Sequence, residues 1–286
     1  MTKPVFSIII PTWNNLEYLK CCVESIRKNS THIHQVVLHI NEGTDGTIQW
    51  TRENRIDYSR SETNIGICKA CNAAFKLTRA SYIVYANDDM YFCPQWDKHI
   101  LNEIKKYGRD DFFFSATMIE PRETGNPAVI APHDFGDDPA DFQEEKLLAR
   151  LDELASLKAD WWGGCWPPSV MHRNLWQKVG GYSEEYFPGY YSDPDLAMKL
   201  WQTGVRNFRG IGRSLVYHFM SKSTGKTNAS PKEGYKMFMK KWHIRPGFFY
   251  KRYLKMGQSI QPDEQLTEPG GLSLEKLRVK LKMLFR

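Results

Sequence analysis

Apolar residues in the first third of the chain fall into short runs, each followed by a polar stretch of helical period. Phe6–Ile10 is a continuous, Ile-rich run, the pattern of a strand covered on both faces. Asn15 stands where it can cap a helix to about Arg27, with Leu16, Leu19, Val23 and Ile26 on one side. Gln35–Ile40 reads as a second strand, a helix starts at Asp45 or Thr47, and Arg55–Arg60 reads as a short third strand. Ile65–Leu77 spaces Ile67, Ala70, Ala74 and Leu77 as a helix face, and Tyr82–Ala86 is another buried strand. Alternation in this order predicts right-handed crossovers and an α/β fold, with a mostly parallel central sheet flanked by helices.

The second half is less regular. Phe112–Ile119 reads as a strand, Gly125–Asp141 as a loop rich in Pro, Gly and Asp, and Gln143–Leu157 as one helix burying Leu147, Leu151 and Leu154. Asp195–Thr203 predicts a short helix, Ser214–Tyr217 a short strand and Pro231–Trp242 a further helix. Met256–Gly271 is a polar linker, and Leu272–Arg286 is a basic amphipathic helix with Leu274, Leu277, Leu281 and Leu284 among Lys276, Arg278, Lys280, Lys282 and Arg286. The expected division is residues 1–230 as one α/β domain, with halves of about 1–120 and 121–230. A helical extension then covers 231–286.

Composition narrows the function classes. A chain of 286 residues that is 41% hydrophobic can bury a sizeable core, and a formal charge of +6 suits a small polyanion or an anionic membrane surface. No recognition helix, zinc-finger spacing or aromatic RNA-binding motif is present, so no nucleic acid partner is expected. The run Val5–Ile10 is too short for a signal-peptide core, and no apolar stretch is long enough to span a bilayer. The expectation is a cytoplasmic protein, peripheral at the inner face of the membrane if its tail binds lipid. Cys68 and Cys71 form a lone CxxC inside a helical pattern, which reads as buried reduced thiols rather than a zinc or redox site.

Candidate chemistry follows from the strand ends, where parallel α/β sheets bind ligands. Pro11–Asn14, Asn41–Thr47 and Asn87-Asp88-Asp89 each follow a strand and are therefore expected to face one cleft. Asn87-Asp88-Asp89 can hold a hard divalent cation against a diphosphate, or be a solvated turn. Asp193 and Asp195 flank Pro194; one can serve as a proton-accepting carboxylate while the other caps the following helix, with Asp195 nearer the cap. His218 ends a strand and can ligate Mn²⁺ or be structural. Met220–Lys226 after it can close over phosphates or be a plain loop. Asn64-Ile65-Gly66 opens a helix whose first N–H groups would favour an anion. Neither a P-loop nor a dinucleotide fingerprint is present.

Together these pieces resemble the family 2 glycosyltransferases of the GT-A fold over about residues 5 to 226. Ser7 to Asn14 is similar to the family's first strand and nucleotide-touching turn. Asn41 to Thr47 resembles its Asp-rich turn, one residue shorter and with Asn41 where an Asp usually meets the base. Asn87-Asp88-Asp89 resembles the DxD metal motif. Gly180 to Phe187 is similar to its GGFDE element, and Ser192-Asp193-Pro194-Asp195-Leu196 to its ED motif with Ser192 in place of Glu. The resemblance implies an inverting transfer from a nucleotide-diphosphate sugar, UDP or else GDP or dTDP, to a hydroxyl of a glycan or lipid-linked acceptor. It implies Mn²⁺ or Mg²⁺ on Asp89 and His218, and Asp193 as general base with no need of an unusual pKa. The donor set is Pro11, Thr12, Asn14, Asn41, Asn64, Gly66, Asn72, Asn87 and Asp88; the acceptor set is Trp162, Gly163, Gly164 and Asp195. The competing readings are an inactive nucleotide-sugar or carbohydrate-binding module and a sugar nucleotidyltransferase. The latter is disfavoured because Pro11 to Asn15 lacks a glycine-rich basic loop.

Overall fold

The computed structural model describes residues 3–220, 229–261 and 264–284. The N-terminal apolar run becomes β1 (Phe6–Trp13), followed by α1 (Leu16–Asn29), β2 (Gln35–Asn41), α2 (Thr47–Glu53), β3 (Asp57–Ser61), α3 (Gly66–Phe75) and β4 (Tyr82–Tyr85). This is the predicted alternation. It continues through β5 (Met90–Phe92), α4 (Trp96–Tyr107) and β6 (Phe112–Ile119), then α5 (Glu144–Ala149), α6 (Leu151–Ser156), β7 (Trp161–Trp162), β8 (Ser169–His172) and α7 (Arg173–Val179). The chain ends with α8 (Ser192–Gln202), β9 (Asn207–His218), α9 (Pro231–Trp242), a turn α10 (Pro246–Phe248) running into a π-turn at Phe249–Tyr253, and α11 (Leu272–Leu284).

Among the described residues the strands form one sheet in the order β3-β2-β1-β4-β8-β6-β9-β5, with β7 alongside β9. The segment β3-β2-β1-β4 is parallel, as is the pair β6–β9. Strands β5, β7 and β8 run antiparallel to their neighbours. Phe6, Ile8 and Ile10 join one core layer, where Leu19, Val23 and Ile26 of α1 and Trp96, Ile100 and Ile104 of α4 cover the sheet. Ile9 faces the opposite layer, built on α3, α7, α8, α9 and the segment around Phe249 and Tyr253. Burial on both faces explains why β1 shows no polar alternation.

Six elements have no counterpart in the sequence reading: β5, α4, β7, β8, α7 and α10. Strand β5 is three residues long and β8 four, too short for a period to register. Helix α4 does carry one, with Trp96, Ile100 and Ile104 in register and Gly108 closing it in the left-handed conformation. The single helix expected over Gln143–Leu157 is two, because Arg150 leaves helical geometry between α5 and α6. Its guanidinium pairs with Glu153 and lies over the Phe135 ring. Asn15 occupies the cap position of α1 but makes no capping bond; the Asp45 carboxylate accepts the Leu16 N–H instead, at 2.9 Å. Helix α8 begins at Ser192, so Tyr191 is the cap residue and Asp193 and Asp195 both lie in the first turn.

Candidate active site

Strand β1 is flanked by β2 on one side and β4 on the other, so the chain direction of the crossovers reverses there and leaves a crevice at the strand ends. A cleft of about 350 Å³ opens at that point, lined among others by Pro11, Thr12, Asn41, Asn64, Gly66, Asn87, Asp88, Asp89 and His218. Residues spread over more than two hundred positions thus share one wall. Trp13 and Met220, from the expected Pro11–Asn14 turn and the segment after His218, complete the lining with Ile67 and Pro188, which were not anticipated.

The acidic wall is internally braced. The Thr12 hydroxyl donates to Asp88 Oδ2 at 2.7 Å, and the Tyr85 hydroxyl donates to Asn87 Oδ1 at 2.9 Å. Burial and the adjacent Asp89 carboxylate push the Asp88 carboxyl up from its ordinary range. His218 Nε2 lies 3.5 Å from Asp89 Oδ2, and its Nδ1 lies 2.9 Å from Glu120 Oε1. Burial alone would lower the His218 pKa, but the Asp89 and Glu120 carboxylates outweigh it and raise the group to about 10. Glu120 was missed in sequence. It directly follows β6, which pairs in parallel with β9 so that Ile119 sits opposite Tyr217, one residue before His218.

A hard divalent cation between Asp89 and His218 would have to displace the proton that the two carboxylates hold on His218. Adjacent ligands of an octahedral cation held at about 2.1 Å sit about 3 Å apart, close to the Nε2–Oδ2 separation found here. A carboxylate on the far nitrogen of a ligating histidine fixes its tautomer and ring orientation, which is the place of Glu120. Among the described residues no group of three or more His, Cys, Asp or Glu side chains forms a ready cation cage. Asp89 and His218 are the two side chains of this kind that face each other across this corner of the cleft.

Asp193 lies behind the same wall. The Tyr182 hydroxyl donates to Asp193 Oδ1 at 2.9 Å, and the Tyr182 ring meets Tyr85, the partner of Asn87, edge-on at 5.5 Å. The Asp193 charge in turn helps raise the pKa values of Cys68, Cys71, Cys165 and Tyr250, each raised chiefly by its own burial. Burial pushes the Asp193 carboxyl up to about 7, against the lowering effect of the Tyr182 hydrogen bond. The resemblance required no unusual pKa at this position; burial nonetheless moves the group toward neutrality.

Other candidates sit elsewhere. Asp195 is fully buried, and its oxygens are taken by Ser183 Oγ (2.5 Å), Trp242 Nε1 (2.8 Å) and Lys241 Nζ (2.9 Å). It ties α9 to α8 and has no oxygen left to offer an acceptor. Trp162 is a buried strand residue whose indole donates to Glu264 Oε2 at 2.6 Å. Gly163 and Gly164 are packed against Met256 and the Arg209 carbonyl, where no side chain fits. None of the three reaches the cleft. Asn14 accepts the Thr44 N–H and donates to Glu42, joining the two strand-end turns. Asn72 clamps both the N–H and the carbonyl of Tyr182 at 2.9 Å, and so orients the partner of Asp193 rather than lining the donor cleft. Asn41 does line it, with its carbonyl oxygen committed to the Ile65 N–H at 2.9 Å and to Ser61 Oγ at 3.1 Å.

The start of α3 is not an anion site. The Gly66 N–H donates to Asn64 Oδ1 and the Ile67 N–H to the Pro188 carbonyl, at 2.9 and 2.8 Å. Gly66 has φ +77° and faces the Phe187 ring so closely that a Cβ would come within 2.8 Å of it. All six cysteines are free thiols, five of them buried, including Cys68 and Cys71. Of the loop expected to close over phosphates, Ser221–Lys226 lies outside the described residues, as does Arg286 of the tail. No helix among the described residues is long and apolar enough to cross a membrane.

A crevice at a reversal of strand order, with paired carboxylates and a histidine at its mouth, defines a GT-A-like nucleotide-sugar transferase fold. Comparison with known proteins agrees. Residues 7–177 match Glycosyl transferase family 2, more than half of the chain, and the chain belongs to that family. It is 31% identical over 107 residues to the chondroitin synthase of Escherichia coli, covering 36% of this chain and 16% of that one. It is 21% identical over 214 residues to an uncharacterized glycosyltransferase of Haemophilus influenzae, covering 74% and 67%. The chain thus spans about a sixth of the first relative's length and about two thirds of the second's. Residues 1–349 of S. aureus TarS in complex with UDP superpose with a TM-score of 0.57 at 15% identity, covering 86% of this chain and 72% of that one. The same protein in complex with UDP-GlcNAc gives 0.56 at 17%, covering 81% and 63%.

Proposed function

We propose that this protein is an inverting glycosyltransferase that moves a sugar from a nucleotide-diphosphate donor, UDP first among the candidates, to a hydroxyl of a glycan or lipid-linked acceptor. The observation that carries the reading is the placing of Asp193 behind the strand-end cleft, joined to its acidic wall through Tyr182 and Tyr85. The acceptor oxygen attacks the anomeric carbon, the bond from that carbon to the diphosphate breaks, and the acceptor proton passes to the Asp193 carboxylate. A base of pKa near 7 is ionised in substantial part at neutral pH and still accepts a proton well. Tyr182 holds the carboxylate in direction, and Asn72 holds Tyr182.

Asp89 and His218 would hold the divalent cation, Mn²⁺ or Mg²⁺, with Glu120 orienting the histidine. When bound, the cation neutralises charge that builds on the leaving diphosphate. Asn41 spends its carbonyl oxygen on Ile65 and Ser61, so it does not serve the base as a free acceptor. The donor base is therefore read by other groups of the cleft. TarS, solved with UDP and with UDP-GlcNAc, shares the fold and puts UDP first in the test.

That test is a thermal-shift panel of UDP, GDP, dTDP and CMP, each with Mn²⁺ and with chelator, on the native chain and on Asp193→Asn. Ligand at about 100 times its dissociation constant stabilises by about 2.7 kcal/mol. One nucleotide should stabilise both proteins in a metal-dependent way, while Asp193→Asn loses about 10²- to 10⁴-fold in transfer rate. No response to any nucleotide from the folded protein would favour the inactive-module reading. Unchanged turnover in Asp193→Asn would remove Asp193 from the reaction.

A further inference from the structure

Helix α11 docks on the domain by the face that carries Leu272, Glu275 and Val279. Glu275 is 1% exposed and Val279 2% exposed, and the Arg245 guanidinium grips the Glu275 carboxylate with two hydrogen bonds of 2.8 and 2.7 Å. The Arg245 N–H adds a third at 3.0 Å. At 3.6 residues per turn, Leu274, Leu277, Leu281 and Leu284 fall on the side opposite Glu275 and Val279. These four leucines are 47% to 69% exposed. An ordinary docked helix would turn such a stripe inward, so the salt bridge holds this one outward against the hydrophobic effect.

The flanks of the stripe are cationic. Lys276 and Lys280 project on one side of it and Arg278 on the other, where the Lys282 ammonium lies over the Tyr235 ring of α9 at 5.0 Å. Beside the second flank, Lys251, Arg252 and Arg278 line a surface cleft of about 550 Å³. A second copy of the chain seated on the leucines would bring these like charges together. An anionic lipid surface would use both features, with acyl chains against the leucines and headgroup phosphates against the flanking cations.

We propose that α11 is a membrane-docking helix, held leucine-side out by Arg245 and Glu275, which seats the protein on an anionic bilayer. This does not depend on the sugar-transfer reading, and its test uses no donor. The full chain is sedimented with vesicles of phosphatidylcholine, with and without phosphatidylglycerol. Binding is expected only to the anionic vesicles and should weaken as salt is raised. Leu277→Gln with Leu281→Gln should lower the partition coefficient at least about tenfold. Lys276→Gln with Lys280→Gln should lower it about 25-fold, near fivefold per cation. Each variant should keep the thermal melting of the native chain, since all four side chains point away from the domain. Failure of the native chain to sediment with anionic vesicles overturns the proposal, as does unchanged binding of both variants. A concentration-dependent dimer in light scattering that the leucine variant dissolves would also overturn it, by giving the face to a second copy.

Discussion

Tyr182→Phe is the sharpest probe of the site, because it removes one hydroxyl whose partner in the structure is Asp193. The Asp193 carboxyl is pushed up to about 7 by burial and held from rising further by that hydroxyl. A hydrogen bond to a charged group contributes about 1.5 to 3 kcal/mol, and about 1.4 kcal/mol corresponds to one pH unit, so its loss should raise the midpoint by about 1 to 2 pH units. The base must be ionised to accept a proton, so the native rate climbs with pH through about 7 and the variant's climbs later. At neutral pH the variant should turn over about 5- to 50-fold more slowly, and it should recover as pH rises. The assay is nucleotide release at saturating donor, acceptor and metal, since the acid limb of kcat then reports the bound complex. Asp88 is also pushed up, but its hydroxyl partner is Thr12, so the difference between variant and native isolates Asp193. An acid limb that stays in place, or moves to lower pH, would refute Asp193 as the titrating base.

Glu120→Gln keeps the shape beside His218 but removes the charge that orients it, and should weaken metal binding about 10- to 100-fold; the check is the metal concentration that gives half the nucleotide-dependent thermal shift. Asp195→Ala leaves the Trp242 indole N–H without its partner and Lys241 with only Ser183 and Glu185, and should destabilise by about 3 kcal/mol in denaturant titrations, with the nucleotide response of the folded fraction kept. Asp193→Asn should have the opposite sign and depend on pH. A carboxyl with a folded pKa raised from 3.8 to about 7 binds its proton more tightly in the folded state, so native stability falls as pH rises through that window. The variant should therefore melt above the native protein at pH 8, by on the order of 2 kcal/mol, and lose the advantage near pH 4. Equal melting at both values would place Asp193 in a solvated setting.

The first half of the fold was legible because its information is local. A run covered on both faces, a helical period and a polar strand end each occupy fewer than about fifteen residues, and the carboxyl-end rule then assembles the cleft without further input. Helix α4 went unread despite a local period, whereas the strands β5 and β8 went unread because their pairing is distant, β5 joining β9 and β8 lying between β4 and β6. Glu120 belongs to this group, although the rule applied to Asn87-Asp88-Asp89 also covers a carboxylate directly after β6. The acceptor side misled for a different reason. Trp162, Gly163 and Gly164 entered the acceptor set through the family resemblance, but the glycines at 163 and 164 are required by close packing against Met256 and Arg209. Small residues permit either a ligand or another stretch of backbone to approach, and the sequence does not distinguish the two.

Asp193 and Asp195 show most clearly where local reading stops. They are two positions apart in the first turn of α8, so their side chains leave the helix about 200° apart. One enters the tyrosine and cysteine surround; the other meets Ser183, Lys241 and Trp242. Nothing within the pentapeptide Ser192 to Leu196 assigns these environments, since the partners come from residues 182–183 and from α9. Asp195, with its charge matched and its oxygens satisfied, fixes α9 and with it the orientation of α8. Asp193, with one hydroxyl and little solvent, keeps a proton that is easily exchanged near neutral pH. The structural carboxylate thus fixes the helix that carries the proposed base, and the two differ in partner count and in the burial that raises Asp193.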